Sequence, residues 1–183
     1  MVLIAPPVFE DPRGFFLETF KHSEFARAGL PVNFVQENHS ASVRGVLRGL
    51  HYQRAPKAQG KLVRVIAGEI FDVAVDLREG SPTCGRWLGL KLSAATRQML
   101  YLPPWCAHGY CVLSERAEIL YLATAEYSPV EEGGVAWNDS RLAIQWPLSN
   151  PMLSERDRGW GPFEPLPASV LGVQTAGLGE ERK

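Results

Sequence analysis

The residues best suited to acid–base work are the four histidines, since imidazole alone changes charge near neutral pH without perturbation. His22 stands beside Lys21 at the start of an expected helix and reads as a surface residue. His39 lies in the polar string Gln36-Glu37-Asn38-His39-Ser40, which suits either an ordinary loop or the lining of a polar pocket. His51 follows Val46-Leu47-Arg48-Gly49-Leu50 and precedes Tyr52-Gln53. A histidine at a strand end, beside a glycine and near an arginine, can be a base, a ligand or a hydrogen-bonded core residue. His108, in Trp105-Cys106-Ala107-His108-Gly109-Tyr110, is of the same kind.

Two histidines on separate strands of a β-barrel raise the question of a metal. A barrel metalloenzyme usually supplies two histidines one residue apart, then a carboxylate and a later histidine on the same face. Here the position two after His51 is Gln53, and the next carboxylate is Glu69. Most of the expected ligands are therefore missing, and no metal is expected.

The elements that must position these side chains are short. Seventeen glycines and fourteen prolines divide 183 residues into small pieces. In Phe71-Asp72-Val73-Ala74-Val75-Asp76-Leu77 apolar residues alternate with Asp72 and Asp76, a strand pattern. Gly68-Glu69 separates it from Leu62-Val63-Arg64-Val65-Ile66, which predicts a hairpin. Leu88, Leu90 and Leu92 alternate with Trp87, Gly89 and Lys91, and further strands are expected over 99–102, 109–113 and 118–124. Many short strands at intervals of about 8–12 residues predict an all-β sandwich or barrel. One short helix is expected from Ser23 as N-cap to Gly29, and another from Ser154. The domain is expected over residues 1–163, with 164–183 as a loosely held tail rich in Pro, Ala, Gly and charge.

Composition excludes several classes. With 45% hydrophobic residues, 21% charged and a net charge of −1, the chain is neither disordered nor built to grip a nucleic-acid backbone. Cys84, Cys106 and Cys111 are too few for a disulfide scaffold. No apolar run approaches the roughly 18 residues of a membrane span, and Met1 to Pro7 lacks the features of a signal peptide. A cytoplasmic protein with no nucleic-acid or membrane partner is expected.

A resemblance sharpens this reading. Asp11-Pro12-Arg13-Gly14-Phe15-Phe16-Leu17-Glu18, Gln36-Glu37-Asn38-His39-Ser40, Gly45-Val46-Leu47-Arg48-Gly49-Leu50-His51-Tyr52-Gln53 and Gly60-Lys61-Leu62-Val63-Arg64-Val65 occur in order. Phe71 to Arg78, Ser81-Pro82-Thr83, Ala107-His108-Gly109 and Trp137-Asn138-Asp139 continue the series. From about Phe9 to Asp157 the chain resembles the dTDP-4-dehydrorhamnose 3,5-epimerases, metal-independent and cofactor-free enzymes of deoxysugar biosynthesis. The resemblance implies a cupin-type double-stranded β-helix, or jelly-roll barrel, with a few short helices. It also implies a homodimer with exchanged N-terminal strands.

The implied substrate is dTDP-4-dehydro-6-deoxy-glucose, inverted at the two carbons flanking its 4-keto group. A proton alpha to a ketone is weakly acidic because its loss gives an enolate. Inversion needs a base on one ring face, a stabiliser at the oxygen and an acid on the other face. By resemblance His51 is the base, Asp157 hydrogen-bonds its other nitrogen, Lys61 faces the enolate oxygen and Tyr121 is the acid. Arg13, Arg48 and Arg156 would hold the diphosphate. Glu18, Gln36, Glu37, Asn38 and Glu132 would meet thymine or sugar, Tyr127 would stack on the base, and His108 would touch the sugar or support His51.

The chain also departs from the pattern. Pro103-Pro104-Trp105-Cys106 stands where the family reads Pro-x-Gly-Phe; Glu126 replaces a frequent Tyr, Glu37 a frequent Asp and Arg156 a frequent Lys. Inversion at one carbon only, a non-catalytic nucleotide-sugar-binding cupin and a metal-dependent cupin oxygenase are the alternatives. A catalytically dead relative should have lost His51, Lys61, Tyr121 or Asp157, and all four are present.

Overall fold

Alternation of apolar with small or polar residues, broken by Gly and Pro, drives the chain into short strands. The computed structural model describes residues 1–173. Its strands are β1 (Val2–Ile4), β2 (Val8–Asp11), β3 (Gly14–Leu17), β4 (Gln36–Val43), β5 (Leu47–Gln53) and β6 (Lys61–Ala67). They continue as β7 (Glu69–Asp76), β8 (Trp87–Ser93), β9 (Met99–Leu102), β10 (Cys106–Val112), β11 (Arg116–Ala123) and β12 (Glu132–Gly134). Two short helices, α1 (His22–Arg27) and α2 (Glu155–Arg158), complete the described elements.

The strands form two five-stranded antiparallel sheets, ordered β1-β9-β6-β11-β4 and β12-β5-β10-β7-β8, with β2-β3 as a separate hairpin. Val63, Val65, Leu100, Leu102 and Ile119 of the first sheet pack on Ile70, Ala74, Leu92 and Val112 of the second. This is the cupin-type jelly roll. A second apolar cluster covers the outer face of the second sheet. There Val135, Leu142, Phe163 and Leu171 pack on Leu50, Val73, Val75, Leu77 and Ala107. Strand β7 is thus buried on both faces.

Several expectations need correction. Leu62–Ile66 and Phe71–Leu77 do not form a hairpin: β6 pairs with β9 and β11, whereas β7 pairs with β10 and β8. Gly68, at φ +76°, turns the chain from one sheet into the other. Helix α1 is capped by Lys21 without a side-chain bond, so Ser23 is not its N-cap. Ser154 does cap α2, its side chain accepting from the Asp157 amide.

The segment after Phe163, expected to be loose, is packed as far as the structure describes it. Leu166 N–H donates to the Leu77 carbonyl at 2.7 Å, and Ala55 N–H to the Val170 carbonyl at 2.7 Å. Leu171 is fully buried, a contribution of about 2 kcal/mol from apolar area alone. The core therefore extends beyond residue 163, while residues 174–183 lie outside the described residues. Trp105 avoids the left-handed region, which outside glycine is used by Arg97 and Ala143 among the described residues. It packs against both clusters, with the Arg78 guanidinium 3.8 Å above its ring.

Candidate active site

Between the two sheets lies a cavity of about 300 Å³, lined by Ser40, Arg48, His51, Lys61, His108, Tyr110, Tyr121, Ser154, Arg156 and Asp157. The facing walls carry different chemistry. His51 on β5 and His108 on β10 pair directly in the second sheet. The register shifts between His108 and Tyr110, where Gly49 meets Gly109. A Cβ on Gly49 would lie 2.4 Å from the Gly109 Cα, so this approach of β5 to β10 requires glycine. On the first sheet Tyr121 pairs with Asn38 and Val63, and Lys61 with Ala123. Residues two apart share a face, so Lys61 and Tyr121 are diagonal neighbours on the cavity side.

His51 Nε2 bonds Asp157 Oδ1 at 2.5 Å. Asp157 is delivered by α2, whose Ser154 cap places it in the first turn. Burial pushes the Asp157 carboxyl up, but the hydrogen bond and charge of His51, with Ser154 and Arg156, outweigh it and hold the group below the usual range. An ionised carboxylate at Nε2 fixes that nitrogen as the donor and leaves Nδ1 as the free base.

A second pair lies deeper. His108 Nε2 bonds Asp72 Oδ2 at 2.9 Å, with Asp72 fully buried. Asp72 Oδ1 has no hydrogen-bond partner among the described residues. Burial lowers Lys61 to about 8, opposed by the charges of Asp72 and Glu132. An ammonium so placed is a strong electrostatic partner for an oxyanion in the same cavity.

Tyr121 also feels its surroundings: burial raises its pKa, nearby Tyr110 adds to this, and Arg48 and Arg156 oppose it. A phenol that stays protonated is suited to donate. Tyr110 hydroxyl lies 3.0 Å from Ser40 Oγ, and Arg48 Nε donates to Ser42 Oγ at 3.1 Å. At the rim Glu132 accepts from the Tyr127 hydroxyl and from Arg156 Nη1, both at 3.0 Å. Gln36 Nε2 donates to Asn38 Oδ1 at 2.9 Å, while its Oε1 accepts from the Tyr127 amide at 2.7 Å.

The structure thus brings His51, Asp157, Lys61, Tyr121, His108, Arg48 and Arg156 to one cavity, with Tyr127, Glu132, Gln36 and Asn38 joined around its rim. Three expected residues stand apart. Arg13 is exposed on the β2–β3 hairpin and pairs with Asp11 at 2.5 Å, and Glu18 is exposed near Lys21 at 3.5 Å. Glu37 faces the opposite side of β4 from Gln36 and Asn38, toward Thr19 and Arg64. The period of two excludes three consecutive residues from one face. Sequence reasoning missed Asp72, Tyr110 and Ser40. The signal was present in β7, where Asp72 alternates with the apolar residues of the opposite face.

An imidazole on one sheet, facing a phenol and an ammonium on the other, fits proton removal alpha to a carbonyl. Comparison with known proteins agrees. The sequence profile of the dTDP-4-dehydrorhamnose 3,5-epimerase family matches residues 1–164. A dTDP-4-dehydrorhamnose 3,5-epimerase of Pseudomonas aeruginosa is 55% identical over 160 residues, 86% of this chain and 88% of that one. One of Shigella flexneri is 52% identical over 158 residues, 86% and 87% of the two chains. The crystal structure of a dTDP-6-deoxy-D-glucose-3,5-epimerase from Legionella pneumophila, in complex with dTDP-4-keto-L-rhamnose, superposes with a TM-score of 0.88. That match has 43% identity and covers 95% of this chain and 93% of the other. The chain belongs to the dTDP-4-dehydrorhamnose 3,5-epimerase family.

Proposed function

We propose that this chain epimerises dTDP-4-dehydro-6-deoxy-D-glucose at C3 and C5 through enolate intermediates, giving dTDP-4-dehydro-L-rhamnose. The observation that carries the reading is the opposition of His51 and Tyr121 on facing sheets of one cavity, with Lys61 on the same wall as Tyr121. His51 Nδ1 takes the ring proton, and Asp157 favours the imidazolium that forms. The Lys61 ammonium stabilises charge on the C4 oxygen, and Tyr121 returns a proton from the opposite face. Each inversion leaves one proton on His51 and removes one from Tyr121, so both exchange with solvent before the next.

The remaining side chains hold the nucleotide-sugar. Arg48 and Arg156 suit diphosphate oxygens, Tyr127 suits stacking on thymine, and Glu132, Gln36, Asn38 and His108 supply polar contacts. Arg13 and Glu18 enter through a second copy of the chain. Phe9, Phe15 and Phe16 leave the hairpin 57% to 65% exposed, and β1 and β4 are open sheet edges. A homodimer with exchanged N-terminal strands covers these surfaces and brings Arg13 to the partner's cavity. Light scattering at micromolar concentration should give a dimer, and a monomer would contradict this. No helix among the described residues is long and apolar enough to cross a membrane, and we place the enzyme in the cytoplasm.

The direct test is proton NMR of the substrate with enzyme in deuterium oxide. The proposal expects exchange at both C3 and C5 with the inverted product formed. Exchange at one carbon would replace it with a mono-epimerase, and exchange at neither with a non-catalytic binding protein.

A further inference from the structure

The aromatic that follows the aspartate-bearing helix is placed by three separate contacts. Trp160 comes two residues after α2, which carries Asp157. Its indole lies against the backbone of Gly134: a Cβ there would fall 2.2 Å from Cδ2 and 2.3 Å from Cε2. Gly134 is the residue that pairs with His51 between β12 and β5. The indole reaches across this glycine to the imidazole, with ring centroids 6.1 Å apart and planes at 69°, an edge-to-face contact. The Ala136 amide donates to the Gly161 carbonyl at 2.7 Å, pinning the backbone just beyond the ring.

We propose that Trp160 is a positioning residue for the base, fixing the His51 ring and docking α2 so that Asp157 meets it. The inference rests on His51 being the base. Asp157 lines the substrate cavity on one side and a second cavity of about 320 Å³ on the other. The pair is therefore not wedged by close packing on both sides. A carboxylate at Nε2 fixes one ring nitrogen but leaves rotation about the Cβ–Cγ bond to be set by a second contact, which the indole edge provides. Trp160 Nε1 is buried with no hydrogen-bond partner among the described residues, and packing against Gly134 and His51 sets the ring's place. Trp160 does not line the substrate cavity, and its effect belongs in turnover rather than in substrate binding.

The test is steady-state kinetics on four variants of the full chain, with His51→Ala as reference. Trp160→Ala should lower kcat by about 10- to 100-fold, the scale of a base displaced by an ångström, with KM within about threefold. Trp160→Phe, which keeps an aromatic edge, should recover most of the loss. Gly134→Ala drives a methyl into the indole and should also lower kcat. Combined with Trp160→Ala it should add nothing further, because the ring it displaces is gone. Should Trp160→Ala fail to fold, Gly134→Ala and Trp160→Phe carry the test through their own kcat and KM. Turnover within about twofold of the parent in Trp160→Ala, a loss confined to KM, or additive effects of the pair would overturn the inference. Near-normal turnover in His51→Ala would instead overturn the assignment of the base.

Discussion

His51 and His108 stand directly opposite each other in the β5–β10 register, yet each bonds a different buried aspartate through Nε2: Asp157 at 2.5 Å and Asp72 at 2.9 Å. The two carboxylates arrive by unrelated routes, one from α2 after the barrel and one from β7 within it. One cavity wall therefore presents two imidazoles, each oriented by a buried carboxyl group. In the proposed mechanism His51 removes the proton and His108 contacts the sugar.

Asp157→Asn should reduce kcat by about two orders of magnitude or more, because an amide neither favours the imidazolium nor fixes the same tautomer. KM should change little, since Asp157 meets the ring nitrogen rather than the substrate. Circular dichroism of the variant alongside its kinetics separates this from a loss of fold. Retention of more than about a third of the parent rate would remove Asp157 from the base.

In the proposed mechanism Lys61 should give the reaction an alkaline limit. Burial lowers it from 10.5 to about 8, so the charged form is lost as pH rises through about 8. The profile of kcat/KM, which reports the free enzyme, should fall on that side with an apparent pKa near 8. Lys61→Arg keeps its charge well above this pH and should move the limb upward. An unmoved limb in Lys61→Arg would assign it to another group.

Asp76 should matter to stability in acid. Burial pushes its carboxyl up, but hydrogen bonds from Arg78, Thr83 and Ser81 outweigh this and bring it to about 2. The unfolded chain holds the proton more tightly, so this stabilisation is complete above the ordinary value of 3.8 and lost as pH falls through about 2. Asp76→Asn should cost about 2 kcal/mol at neutral pH by urea unfolding. The gap to the parent should narrow below about pH 4; a gap independent of pH would contradict the linkage.

The strands were legible because their alternation is local: expected spans at 99–102 and 118–124 correspond to β9 and β11. What lay between them was less so. Gly68-Glu69 carries the same turn signal whether the chain folds back in one sheet or crosses to the other, and only distant pairing decides. Asp72 shows how alternation identifies two faces of a strand without saying which meets water; here Asp72 is buried against His108 of the cavity wall and a C-terminal cover hides the apolar face. The same cover accounts for the packed stretch just after Phe163, where a few residues such as Leu166 and Leu171 among prolines and glycines meet residues far back in the chain. His51 and Asp157 are 106 positions apart, so no spacing rule joins them. The family resemblance did, and it also named Arg13 and Glu18, which a single chain leaves outside the cavity.

The central claim is that base and acid act from opposite faces of one ring. Its most direct measurement is Tyr121→Phe with dTDP-4-dehydro-6-deoxy-D-glucose in deuterium oxide, following deuterium at C3 and C5 and the configuration of the product. With His51 intact and the phenol removed, the account predicts that deuterium still enters the substrate carbons while inverted product is lost. Inverted product at the parent rate, or no exchange at either carbon, would contradict it.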